Sequence, residues 1–224
     1  IKYDVANQED TSIQIISSLV PFLLITFLFT GAMSICSESI AGEKERGTIA
    51  TLLITPTKRS EIAIGKITSL AITGLVSALI SFLGLILSLP KLMGSDTISL
   101  SAYNFTSVIA IFGIIVVTVL LFTTILTLVS TYAKSVKEAT SYSTPIMIIV
   151  MLIGLSNFMT NQSTTNSLLY LIPIYNSIQS LIEVFSLTIN PLNYFITMIS
   201  NIIYIFIGVY VLTRMFNDEK IMFN

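Results

Sequence analysis

The chain has 224 residues, of which 54% are hydrophobic and only 10% charged, and its mean hydropathy is +0.89. A soluble domain carries about 25% charged residues, so this is the composition of a membrane protein, and its net charge of −1 matters less than where the charges sit. With no histidine and a single cysteine, Cys36, the chain excludes histidine-ligated metal sites, histidine acid–base catalysis, an internal disulfide and a thiolate cluster.

The polar start "IKYDVANQED", residues 1–10, reads as the end of an external region. Crossing a bilayer takes about 20 apolar residues in a helix. Charge-free stretches of that kind predict spans over residues 11–37, 67–90, 104–131, 141–158 and 191–213. Cys36, near the end of the first, reads as a small apolar residue.

Between the first two spans lies "AGEKERGTIATLLITPTKRSEIAIGK", residues 41–66, which holds eight of the chain's 23 charged side chains. Four of them, Glu43, Lys44, Glu45 and Arg46, are consecutive. At mid-membrane they would cost on the order of 10 kcal/mol, so the run lies outside the hydrocarbon. Ile49, Leu52 and Leu53 are spaced i, i+3, i+4, one stripe of a helix. Thr55-Pro56 stops that helix, because the residue before a proline is pushed out of the α region. Ser60 can cap the next helix, with Glu61 in its first turn. Residues 38–60 are thus expected to form a short amphipathic helix and a turn. A helix on lipid headgroups favours an excess of bases. The alternation of acid and base at 43–46 suits a protein surface of mixed charge. These residues alone leave both readings open.

In the second span, Gly65, Ser69, Thr73, Ser77 and Ser81 recur every four residues, with Gly74 and Ala78 on a neighbouring row. Small residues at that spacing let membrane helices approach closely. "IGKIT" at 64–68 lacks the remaining glycine and the hydroxyl residue of a phosphate-binding loop and opens an apolar helix, so ATP chemistry is not expected in this chain. Beyond the fourth span, residues 168–188 hold Pro173 and Glu183. A full crossing there would spoil the charge pattern, so the segment is expected to be re-entrant or interfacial, with protein or water around its broken backbone. Glu183 is then either an interfacial acid that reaches water or part of an external gate with Pro173 and Asn176. Tyr103, Tyr132, Tyr142 and Tyr170 are expected in the interfacial belt.

Five spans make the polar segments alternate between the two faces. Nine of the eleven bases (Lys44, Arg46, Lys58, Arg59, Lys66, Lys134, Lys137, Arg214 and Lys220) fall on one face, and only Lys2 and Lys91 on the other. The positive-inside rule makes the first face, and with it the C-terminus, cytoplasmic. Ile1 is then external, and a further span is expected upstream of it.

The stretch "ESIAGEKERGTIATLLITPTKRSEIAIGK" resembles the signature of ABC-2 type transporter permeases, most closely their sodium-efflux-like branch. "AKSVKEATSYSTP" at 133–145 is similar to the family's second cytoplasmic loop, "LIPIYN" at 171–176 to its external Pro-Asn segment, and "FNDEKIMF" at 216–223 to its C-terminal tail. The resemblance implies an all-α membrane protein, a single ABC-2 type transmembrane domain over 1–224, with a cytoplasmic coupling helix and an external re-entrant hairpin. The family has six spans and a large external domain between the first two. Five predicted transmembrane helices mark this chain as N-terminally truncated relative to that plan.

The implied function is the permease subunit of an ATP-driven exporter in the cytoplasmic membrane. It would be a multi-pass protein with no catalytic residues, no metal and no cofactor of its own. ATP and magnesium would be bound by a separate ATP-binding subunit, and a second permease subunit, identical or not, would complete the pathway. Nucleic acid is not an expected partner, whereas the lipid bilayer is. Carried onto this chain, coupling to the ATP-binding subunit falls to Glu38, Gly42, Glu43, Lys44, Glu45, Arg46, Gly47, Thr48, Leu52 and Leu53, with Gly42 and Gly47 allowing close backbone approach. Lys134, Lys137 and Glu138 would make a second cytoplasmic contact, and Pro173, Asn176 and Glu183 the external gate. Two rivals stay open: a secondary transporter or channel without an ATPase, and a membrane scaffold that docks a cytoplasmic protein.

Overall fold

The computed structural model describes residues 5–48, 57–93, 105–160 and 167–218. All regular structure among them is helical. The long helices are α1 (Val5–Cys36), α3 (Arg59–Met93), α4 (Phe105–Tyr132), α5 (Val136–Thr160) and α7 (Pro191–Asn217). Two short ones, α2 (Gly42–Glu45) and α6 (Tyr175–Phe185), lie between them. A π-helical turn, Ser37–Ala41, joins α1 to α2, and a 3₁₀ turn, Ser167–Leu171, precedes α6. At 1.5 Å per residue the 25 residues of α5 reach about 37 Å, enough for a hydrocarbon core of about 30 Å, whereas the 11 residues of α6 reach about 16 Å and cannot cross. Among the described residues, five helices are long and apolar enough to span a membrane.

α1 and α4 form the centre. Half of the apolar window of each is buried inside the bundle, against 22% for α3 and α5 and 28% for α7. Phe29 of α1 and Phe122 of α4 meet edge to face, with centroids 5.1 Å apart. The outward faces of α3 and α7 stay apolar, with Ile72, Ile80, Leu83 and Leu87 on one and Phe195, Phe206 and Ile207 on the other. A surface of that kind fits hydrocarbon and not water.

Close contacts set the helix directions. Gly113 of α4 faces Tyr194 and Met198 of α7, and Gly208 of α7 faces Thr124 and Leu128 of α4, so these two helices run parallel. Gly154 near the end of α5 lies against Phe22 near the start of the spanning part of α1, so that pair is antiparallel. At the end where α7 finishes, Leu212 and Phe216 pack with Ala63 of α3. One end of the bundle thus collects the ends of α1, α4 and α7 and the starts of α3 and α5. Among the described residues, Lys44, Arg46, Lys58, Lys66, Lys134, Lys137 and Arg214 belong to that end, and Lys91 to the opposite end of α3.

Three local readings change. The first helix does not stop at Ser37. It continues through the π turn, with the Gly42 amide donating to the Ser37 carbonyl, and ends after Glu45. A charge-free window ends at the first acid, Glu38, but the helix goes on because Ser37, Ile40 and Ala41 remain buried. α3 starts at Arg59, with the amides of Glu61 and Ile62 bonded to the Lys58 carbonyl, so Ser60 lies inside the first turn and is not the cap. The stripe of Ile49, Leu52 and Leu53 and the Thr55-Pro56 stop lie outside the described residues. The small-residue rows of α3 divide. Gly74 and Ala78 are buried, Gly74 against Thr123 and Val119 of α4, while Gly65, Ser69 and Thr73 are exposed.

Candidate functional site at the charged end

The charged run emerges from the π turn and closes on itself within two turns. The Arg46 amide donates to the Gly42 carbonyl (3.1 Å) and the Gly47 amide to that of Lys44 (2.9 Å). Gly47 has φ +71°, the left-handed conformation that ends a helix and that a side chain would strain. Among the described residues nothing would crowd a side chain there, so within the chain it serves the turn. Gly42 is the residue that is closely approached. The Arg46 guanidinium donates to Glu38 Oε1 at 2.6 Å, and this pair folds over the Gly42 backbone. That hydrogen bond raises the Arg46 pKa above its already high ordinary value. Both side chains are 57% exposed, so solvent screens the pair and it adds little stability. Thr48 Oγ1 donates back to the Glu43 carbonyl at 3.1 Å.

The remaining charges of the run reach other helices. Lys66 of α3 forms an ion pair with Glu43 and donates to the Ser39 carbonyl at 3.2 Å. Lys44 Nζ donates to the carbonyls of Thr131 and Ala133 at the end of α4. Glu45 Oε2 accepts from the Val136 amide at 3.0 Å, in the first turn of α5. Beneath them Ala41, Ala133 and Ala139 pack together, fully buried.

The turn between α4 and α5 has its own cap. Ser135 Oγ accepts from the Glu138 amide (3.2 Å), and Glu138 Oε2 accepts from the Lys134 amide (2.8 Å). This is close to the reciprocal Ser-x-x-Glu box found at helix starts. The pattern was present in the sequence but was not read there. Tyr142 donates to the other oxygen of Glu138, and its ring lies 6.2 Å from that of Tyr132. Lys134 and Lys137 are exposed beside it. The structure therefore brings the described part of the first expected coupling group (Glu38, Gly42, Glu43, Lys44, Glu45, Arg46, Gly47, Thr48) together with the second (Lys134, Lys137, Glu138). Leu52 and Leu53 lie outside the described residues.

At the other end, Pro173 sits in the turn before α6, and Asn176 and Glu183 lie on α6 itself, both buried. They face α7. Asn176 Nδ2 donates to Asn201 Oδ1 (2.8 Å), Asn201 Nδ2 to Ser177 Oγ (3.0 Å), and the hydroxyls of Ser180 and Thr197 lie 2.7 Å apart. Glu183, 5% exposed, accepts from Tyr170, from Asn193 Nδ2 (2.8 Å) and from the Asn190 amide (3.3 Å). It is a buried knot, not an interfacial acid reaching water. Tyr170 correspondingly leaves the expected interfacial belt and is fully buried. Tyr132 and Tyr142 are exposed, and Tyr103 lies outside the described residues. The partners on α7 had a legible signal that was missed: Asn193, Thr197 and Asn201 form a polar row at four-residue spacing in an otherwise apolar helix.

Comparison with known proteins fits this geometry. A family model described as "ABC-2 family transporter protein" matches residues 2–216. The ABC transporter permease protein NatB of Bacillus subtilis (strain 168) is 32% identical over 138 residues, 61% of this chain and 36% of that protein. The match therefore spans about a third of that relative's length.

Proposed function

The chain belongs to the ABC-2 family of transporter proteins, and from that premise we propose that it acts as the permease subunit of an ATP-driven exporter. Its charged end would be cytoplasmic and would receive a separate ATP-binding subunit, which alone would hold ATP and magnesium. A second permease subunit would complete the pathway. The observation that carries this reading is the joining of the residue 38–48 run and the α4–α5 turn into one surface of mixed charge, through Lys44 and Glu45. The outward groups of that surface, Glu38, Arg46, Thr48 and Lys137, are exposed where a partner would meet them, Glu38 and Arg46 as a pair. ATP-driven closure of two such subunits would push on this end and rock the helices above it. At the opposite end, α6 would act as the external gate, with Pro173 at its joint and Asn176 and Glu183 holding it to α7.

The test reverses exposed charges that make no bond to another helix among the described residues. The full-length protein carrying Arg46→Glu and Lys137→Glu should insert normally, yet its ATP-binding subunit should bind about tenfold more weakly, as expected when rim charges turn repulsive. Unchanged binding and unchanged stimulation of ATP hydrolysis would sink the docking role.

A further inference from the structure

Lys44 and Glu45 are adjacent in sequence and grip the two sides of one tight turn. The Lys44 ammonium sits on the carbonyl of Thr131 in the last turn of α4 and on that of Ala133 just beyond it, and the Glu45 carboxylate on the first-turn amide of Val136 in α5. The end of a helix carries partial negative charge and the start of the next partial positive charge. The order Lys then Glu matches that pair of termini, and the reverse order would oppose both. The grip has a floor of alanines (Ala41, Ala133 and Ala139), which brings the π turn and the α4–α5 turn close enough to be spanned. A third tie, Lys66 to Glu43, fixes the same short helix to α3.

We propose that Lys44 and Glu45 are positioning residues: a two-pronged clamp that makes the residue 38–48 run and the α4–α5 turn move as one body, so that a push delivered at the docking surface reaches α4 and α5 as well as α1. This inference rests on the docking reading above but divides its residues. Lys44 and Glu45 are answered by helix ends of the permease itself, although Glu45 is exposed, while Glu38, Arg46 and Lys137 meet the partner. Three of the four consecutive charges, Glu43, Lys44 and Glu45, are each answered by a different helix of the same chain.

Two measurements test it. Amide hydrogen exchange on the full-length permease without its partner reads the clamp directly. Glu45→Ala should speed exchange at Val136 about tenfold, from loss of a hydrogen bond to a charged group, and Glu45→Gln, which keeps an acceptor oxygen but not the charge, should recover part of that protection. An unchanged Val136 amide overturns the clamp, whatever the partner does. In the complex with the ATP-binding subunit, the swap Lys44→Glu with Glu45→Lys keeps composition and net charge. It should leave subunit binding within about twofold while cutting permease-stimulated ATP hydrolysis about tenfold, a coupling loss of ordinary size. A swap that weakens binding as much as Arg46→Glu does would make Lys44 and Glu45 partner contacts and overturn the proposal. Binding indifferent to Arg46→Glu and Lys137→Glu would instead sink the docking reading, and the exchange result at Val136 would stand independently.

Discussion

At the scale of single residues, the charged run owes its shape to two glycines with different jobs. Gly47 is needed for its left-handed backbone, and Gly42 for the Arg46–Glu38 pair that crosses it. Replacing Gly47 by alanine should lower stability by roughly 1 kcal/mol, the cost of a side chain in left-handed backbone. The comparison is Gly65→Ala, at a helical site open to its surroundings, which should be neutral or slightly stabilising. Thermal unfolding of both variants in one detergent checks this, and equal melting temperatures would contradict it. Ile174 and Leu187 adopt positive φ (72° and 56°) at the two ends of α6. Side chains tolerate that only where the surroundings hold them, at about 1–3 kcal/mol each. Glu183 and its three donors supply such a hold at the Leu187 end.

At the scale of elements, α6 and α7 are joined by polar rows that zip together out of water. An unmet amide in that seam is costlier than no amide at all. Asn201→Leu strands Asn176 and should cost about 1–3 kcal/mol, whereas Asn176→Leu with Asn201→Leu should cost less than the sum of the two single changes. A double-mutant cycle on thermal stability measures the coupling, and strict additivity would contradict the pairing. Much of this scale was open to sequence reading. The Asn193, Thr197, Asn201 row and the Ser135-x-x-Glu138 cap both stand at helical spacings. The continuation of α1 past Ser37 was not, because hydropathy registers where hydrocarbon ends and not where hydrogen bonding ends. Only burial of Ile40 and Ala41 against the rest of the bundle carries the helix on.

At the scale of the molecule, the spacing of charge was enough to anticipate an all-helical membrane protein with five helices able to cross, and the resemblance of its signature led to the right family. What no local pattern could indicate is that residues 44 and 45 bind the ends of helices about ninety positions away. Sequence order carries no record of which termini meet, since such contacts arise only once α1 and α4 pack along their length. The distribution of the charged side chains follows from the same packing: those of the charged run tie α1, α3, α4 and α5 together at one end, and the buried polar groups tie α6 to α7 at the other.

The proposed docking of the ATP-binding subunit at the charged end can be read by proximity. Cysteine cross-linking tests it most directly, because the native thiol, Cys36, is fully buried and contributes little background. Arg46→Cys and Lys137→Cys lie at the charged end, and Leu187→Cys lies beside α6 at the opposite one. With a short thiol-to-amine cross-linker added to the full complex in membranes, the account predicts cross-links to the ATP-binding subunit from positions 46 and 137 and none from 187. A cross-link from 187 with none from 46 or 137 would contradict it.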